Sequence, residues 1–226
     1  MDFLKVASEL TPGLLSGLWV TVWVTVVSLL IALVLGLVSC MMGLSKIKFI
    51  SWLSKLYLWI IRGTPFIVQI FVIYFGIPQL MKFLNFTNFR LTVYQAAIAT
   101  LSLNAGAYIS EIFRGGISAV DNGQMEAARS LGLPKSSAMS KVILPQALKI
   151  SIPALCNQFI ITLKDSSLAY AIGLPEIVYR GKIYVGRTMQ SFSTYILVGI
   201  IYLIIITILT QIIKVIERKM DYGKKS

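Results

Sequence analysis

Residues Leu10–Ser45 read LTPGLLSGLWVTVWVTVVSLLIALVLGLVSCMMGLS, with no charged side chain anywhere in the run. A helix that crosses a bilayer needs about 20 predominantly apolar residues, and this stretch exceeds that on its own. The whole chain follows suit: 57% of residues are hydrophobic, 13% are charged, and the mean hydropathy is +0.80. Soluble domains average about 45–50% apolar and about 25% charged residues. Lipid, not water, is the solvent this composition is written for.

Other runs repeat the pattern. Arg62 is the only charge between Lys55 and Lys82, and none occurs in Leu91–Ser110 or Thr188–Ile213. A further run, Ile150–Leu163, is short and reaches full span only by taking in Lys164 and Asp165; otherwise it is a re-entrant or buried helix. The expected fold is an all-α integral membrane domain of about five transmembrane helices, a single unit over residues 1–226. Met1–Glu9 is acidic overall, whereas cleaved signal peptides begin basic, so the first helix is expected to be retained.

Lysine and arginine in short loops set orientation. One side collects Lys46, Lys48 and Lys55, then Arg114, Arg129, Lys135, Lys141 and Lys149, then Lys214, Arg218, Lys219, Lys224 and Lys225. The other has Lys5, Lys82 and Arg90, then Arg180, Lys182 and Arg187. The richer side is read as cytoplasmic, with the N-terminus outside and the C-terminus inside; the Arg180–Arg187 cluster runs against the rule. The net charge of +12 fits this bias plus contact with anionic lipid heads. No basic stripe interleaved with aromatics points to nucleic acid.

The chain contains no histidine, which excludes a Ser-His-Asp triad. It has no Gly-rich phosphate loop, and its carboxylates are scattered without metal-ligand spacing. No bond chemistry and no cofactor are expected of this chain. Cys40 and Cys156 lie in apolar runs and read as small hydrophobes.

Three polar features interrupt the apolar sequence. Arg62-Gly63-Thr64-Pro65 breaks the second run. One reading is a kink for packing; the other is a helix restarted at Pro65, capped by Thr64, whose free N–H groups would face an anion. Asn104, Tyr108 and Glu111 follow i, i+4, i+7 spacing and share a helix face, with Glu111 able to pair with Arg62 or Arg114. Lys164 and Asp165 lie about 22 Å along a helix from Lys149, at a polar cavity or at the outer interface.

Between the third and fourth runs lies QMEAARSLGLPKSSAMSKVILPQAL, residues 124–148. Asp121 or Asn122 caps an expected helix, Gly132 stops it and Pro134 follows. Such a helix rests on lipid heads or docks on a partner. Its spacing, Glu126-Ala127-Ala128, three residues, Gly132, nine residues, then Val-Ile-Leu144-Pro145, resembles the EAA loop of ABC importer permeases. Ile61–Pro78, Asn104–Ile117 and Leu163–Gly173 resemble the polar amino-acid branch of that family, of histidine/glutamine/arginine type. The resemblance covers roughly Leu15 to Ile213.

That resemblance implies a permease subunit in the bacterial cytoplasmic membrane, paired with a second permease copy (or a sister chain), two cytoplasmic ATPase subunits and an extracytoplasmic solute-binding protein. ATP and Mg would be bound by the ATPase. Residues 121–148 would form the coupling loop, with Gln124, Glu126, Ala127, Ala128, Leu131, Gly132 and Pro145 meeting the ATPase. Arg62, Thr64, Gln69, Asn104, Tyr108, Glu111, Asp165, Ser166 and Leu168 are the candidate substrate residues. A basic amino acid (arginine, lysine or histidine) is the first expectation and glutamine or glutamate the alternative. Outside this family, intramembrane Glu111 and Asp165 would suit an ion-coupled carrier or channel.

Overall fold

The computed structural model describes residues 3–86 and 88–221, with no strand among them. Lys224 and Lys225, which enter the charge count above, lie outside the described residues, as do Met1 and Asp2. The first apolar run becomes α1, Phe3–Gly43. At 1.5 Å per residue it is about 60 Å long, so it projects well past a hydrocarbon core of about 30 Å. A short turn leads to α2, Lys48–Arg62, which folds back on α1: Ser54 Oγ donates to the Ser39 carbonyl at 2.7 Å.

The second run is divided. After α2 stops at Arg62, a new helical stretch runs through α3 (Phe66–Phe71), a π-helical segment (Val72–Gly76) and α4 (Ile77–Phe83). Then come α5 (Val93–Ser118), α6 (Asn122–Ser130), and α7 (Lys135–Ala138), which passes through a second π segment (Met139–Ile143) into α8 (Leu144–Asp165). A 3₁₀ stretch at Ser166–Ile172 precedes α9 (Ile177–Thr188) and α10 (Ser191–Asp221).

Four of these stretches are long and apolar enough to cross a membrane: Phe3–Gly43, Phe66–Phe83, Val93–Ser118 and Ser191–Val215. The expected fifth, α8, forms as one helix of 22 residues. It carries Lys149, Lys164 and Asp165 and does not meet the same measure of apolarity.

Side-chain caps fix the starts of α5 and α9. Thr92 and Gln95 form a reciprocal capping box at α5. Glu176, fully buried, caps α9 by accepting from the Val178 and Tyr179 amides at 2.8 and 2.6 Å, and takes the Tyr202 hydroxyl of α10 at 3.2 Å. That carboxylate ties α9 to α10 while Val6, Leu10 and Leu14 of α1 close over Ile177 and Val198.

The centre of the molecule is the long packing of α1 on α5. Gly17, Thr21, Thr25, Ser28, Ala32, Gly36 and Ser39 recur every three or four residues on α1, and all are buried. In lipid, where apolar burial drives little association, small residues let backbones approach and gain dispersion contact. The hydroxyls of Thr21 and Thr25 donate to carbonyls one turn back, at 3.0 and 2.7 Å, so they cost no unpaired group. At Gly36 a Cβ would lie 2.8 Å from Ile109 Cβ and 3.0 Å from the Gly106 carbonyl. Gly36→Ala is therefore expected to destabilise the fold by about 1–3 kcal/mol through overpacking. Thermal unfolding in detergent measures this, and an unchanged midpoint would contradict the tight seam.

Candidate functional site

The break after α2 is built from three residues with different duties. Gly63 caps α2, its amide bonding the Trp59 carbonyl at 3.0 Å. Pro65 adopts extended backbone (ψ 141°) and stands before α3. Thr64 does not cap the new helix as expected. Its hydroxyl turns back to the Ile60 carbonyl at 2.8 Å, occupying an acceptor left open at the end of α2.

Gln69, one turn into α3, holds the break together. Its Nε2 donates to the Ile61 carbonyl at 2.7 Å and reaches the Thr64 carbonyl and hydroxyl at 3.0 Å each. Its Oε1 accepts from Asn104 Nδ2 on α5 at 3.0 Å. Gln69 and Asn104 are both buried, so the network is sheltered and its bonds are stronger than in water. Tyr57 on α2 adds a second tie to α5, donating to the Leu103 carbonyl at 2.6 Å.

Beside this network lies a charged group. Arg62 meets Glu111 Oε2 at 3.3 Å, and Arg114 bonds the same oxygen. The Arg62 guanidinium carbon stands 5.8 Å from the centre of the Tyr108 ring, within cation–π range. Two guanidinium groups share one carboxylate, so the group is formally cationic. Arg62 keeps 44% of its side chain exposed and Arg114 52%. Glu111 Oε1 is buried and has no hydrogen-bond partner. The arrangement offers an exposed guanidinium to an anion and leaves one buried carboxylate oxygen unpaired.

Six of the expected residues thus come together: Arg62, Thr64, Gln69, Asn104, Tyr108 and Glu111. Asp165, Ser166 and Leu168 do not join them by any hydrogen bond or ion pair among the described residues. Ser166 is buried and donates to the Leu163 carbonyl at 2.7 Å. The 3₁₀ stretch instead packs Ala169 and Ile172 into the apolar core with Ile70 and Leu101. Among the described residues no cluster of three or more histidine, cysteine, aspartate or glutamate side chains is placed to hold a metal.

At the far end of α5 sits the second feature. Asp121 caps α6 through the Gly123 amide at 2.7 Å. Gly132, with φ 85°, ends it: its amide bonds the Arg129 carbonyl while the Leu133 amide bonds that of Ala128. This is a Schellman closure. Ala128 turns inward, 5% exposed, while Gln124, Glu126 and Ala127 face out and Leu131 is 84% exposed. Behind α6, Met125, Met139, Ile143 and Ala147 form a small apolar patch with Val120. Gln146 clamps the two arms, donating to Gln124 Oε1 at 3.3 Å and to the Val142 carbonyl at 3.0 Å. Pro145 is exposed near the start of α8. Periodicity in the sequence did not reveal the bonds of Tyr57 to Leu103, Gln146 to Gln124 or Glu176 to Tyr202, because those partners are remote in the chain.

A bundle of apolar helices with a polar interruption inside it, and a short helix held out from one end, is the architecture of a membrane protein with several spans. The chain belongs to the family of binding-protein-dependent transport system inner membrane components, whose sequence profile matches residues 32–222. It is 38% identical over 220 residues to the arginine transport system permease protein ArtQ of Bacillus subtilis (strain 168), covering 97% of each chain. The glutamine transport system permease protein GlnP of Escherichia coli (strain K12) is 36% identical over 167 residues, 74% of each chain. A crystal structure of an amino acid ABC transporter with histidines contains a chain that superposes with a TM-score of 0.89 at 37% identity, over 97% of this chain and 99% of that one.

Replacing Gln69 with Leu would leave the Ile61 and Thr64 carbonyls and the Asn104 amide without their partner. Asn104 is the buried one of these, and orphaning a buried polar group costs about 1–3 kcal/mol. A clear fall in thermal midpoint is expected, and a midpoint equal to wild type would show that the amide does not hold the break.

Proposed function

We propose that this chain is the transmembrane permease subunit of an ATP-driven importer that moves a polar L-amino acid by alternating access. In this reading residues 1–226 form one permease domain with its N-terminus outside and its C-terminus cytoplasmic, and residues 121–148 are its coupling loop. Two permease copies stand with two cytoplasmic ATPases, which bind ATP and Mg, and an extracytoplasmic binding protein delivers the solute. The multi-pass chain sits in a bacterial inner membrane. Family membership supports the class, and the observation that carries the mechanism is the outward presentation of α6. Gln124, Glu126, Ala127 and Leu131 face outward, and Leu131, 84% exposed, offers apolar surface to a partner. Ala128, Gly132 and Pro145 complete the set that meets the ATPase. ATP acts as a bias on a two-state element, and α6 is where that bias enters.

The substrate is read from charge. Arg62 and the break at Thr64–Pro65 suit the carboxylate common to all amino acids. The unpaired oxygen of Glu111, with Asp165 as a second acidic group, favours a cationic side chain and hence arginine, lysine or histidine. A second reading, glutamine or glutamate, draws on the net positive charge of the Arg62–Glu111–Arg114 group, which leaves Glu111 largely committed to its own arginines.

With its ATPase and binding protein in vesicles, the permease is expected to give solute-stimulated ATP hydrolysis. Glu126→Ala should reduce that stimulation by about tenfold, equivalent to about 1.4 kcal/mol of coupling, with membrane insertion unchanged. Uptake driven by a cation gradient without ATPase would instead establish a carrier. For substrate, Glu111→Gln and Asp165→Asn are each expected to weaken arginine binding to the complex; if both leave it unchanged while glutamine competes equally, the basic reading is wrong.

A further inference from the structure

A groove of about 410 Å³ opens at the end of the bundle that carries α6. One wall is Leu37 and Met41 of α1 with Leu44 just past its end, at i, i+4, i+7 spacing, faced by Phe113 of α5 and Leu148 of α8. Lys135 stands at its rim with Ser136 beside it, and no carboxylate lines it. Met41 is 62% exposed, Leu44 50% and Leu148 47%, so the apolar wall opens onto the outer face of the bundle.

We propose that this groove binds one anionic phospholipid, with an acyl chain along the α1 wall and the phosphate on the Lys135 ammonium. The proposal rests on the orientation given above, which sets this end in the inner leaflet. Three observations favour a lipid over a protein segment. The volume falls within the roughly 300–1,000 Å³ of small-ligand clefts. Its lining is apolar except at one end, the profile of a tail joined to a single head. The charge at that end has one sign: Lys135 lines it and no carboxylate does. Basic pockets between membrane helices on the cytoplasmic side recognise anionic head groups in this manner.

The groove also has a mechanical address. Met139 and Ala147 line it, and both belong to the apolar patch behind α6. Met139 opens the π-helical segment that joins α7 to α8, and π insertions recur at functional sites. A lipid seated there supports the base on which α6 rests, so occupancy is expected to raise coupling to the ATPase.

Native mass spectrometry of the delipidated permease–ATPase complex, mixed with phosphatidylglycerol or phosphatidylcholine, tests the site. Wild type is expected to retain one phosphatidylglycerol per permease copy with a preference of about fivefold. Lys135→Gln should abolish the preference and Lys135→Arg restore it. Met41→Trp, which fills the groove without changing charge, should abolish retention of both lipids. In vesicles of phosphatidylcholine with and without phosphatidylglycerol, wild-type ATP hydrolysis should rise with the anionic lipid, while Met41→Trp keeps the basal rate and loses the rise. Equal retention of the two lipids by wild type, unchanged retention by Met41→Trp, or a preference lost only on replacing Lys46 and Lys149 would each overturn the proposal. A permease that retains the lipid in the groove yet never stimulates an ATPase supports the lipid site and counts against the importer reading.

Discussion

The close approach of α1 to α5 at Gly36 and Gly106 is the constraint on which the rest of the structure depends. A Cβ at Gly106 would lie 3.0 Å from the Tyr57 hydroxyl and 3.1 Å from Leu35 Cβ. The same pair of glycines therefore admits α1 on one side and α2 on the other. Because α2 can lie this near α5, Tyr57 reaches the Leu103 carbonyl and Arg62 reaches Glu111. Backbone proximity bought with small side chains is worth more in lipid than in water, where apolar burial could do the work instead. The polar interior of the bundle is thus a consequence of a packing decision made on α1.

That decision also explains how polar groups survive among apolar helices. Most are answered within their own helix or by a neighbouring one. Thr21 and Thr25 bond their own helix, Ser54 bonds α1, and Asn104 bonds Gln69. Glu176 is completed by two amides and a tyrosine. An unsatisfied group here costs several kcal/mol, so the network leaves few of them. Glu111 Oε1 is one, and its place beside exposed Arg62 is why the region reads as a site and not as structural glue alone.

Much of this was legible in the sequence, and the reasons differ by element. The face shared by Asn104, Tyr108 and Glu111 follows from 3.6-residue periodicity, which needs no knowledge of neighbours. The halt at Gly63–Pro65 follows from the chemistry of those residues. Asp121 and Gly132 mark the two ends of α6 for the same reason. What Thr64 does was not legible: both capping and back-bonding suit a threonine there, and the geometry around Pro65 decides. The Gln69–Asn104 bond spans 35 residues of chain, and no local pattern encodes it. Asp165 looked equivalent to Glu111 by charge and depth, yet the 3₁₀ turn after it spends its contacts on the apolar core. The status of α8 was open for a visible reason, since Lys149, Lys164 and Asp165 lie within or at the ends of its helix.

The shared carboxylate of Glu111 has a mechanical meaning. Its two partners differ in kind: Arg114 rides on the same helix, three residues on, while Arg62 belongs to the end of α2. If α2 and α5 part, Arg62 leaves but Glu111 keeps a counterion that travels with it. The loss is then that of a half-exposed ion pair, about 0–1 kcal/mol, and not that of a stranded charge, which costs several times more. Arg62 and Glu111 form a clasp that can open and close near thermal energy, with Arg114 as the hinge-side partner that keeps the carboxylate solvated by charge in either position.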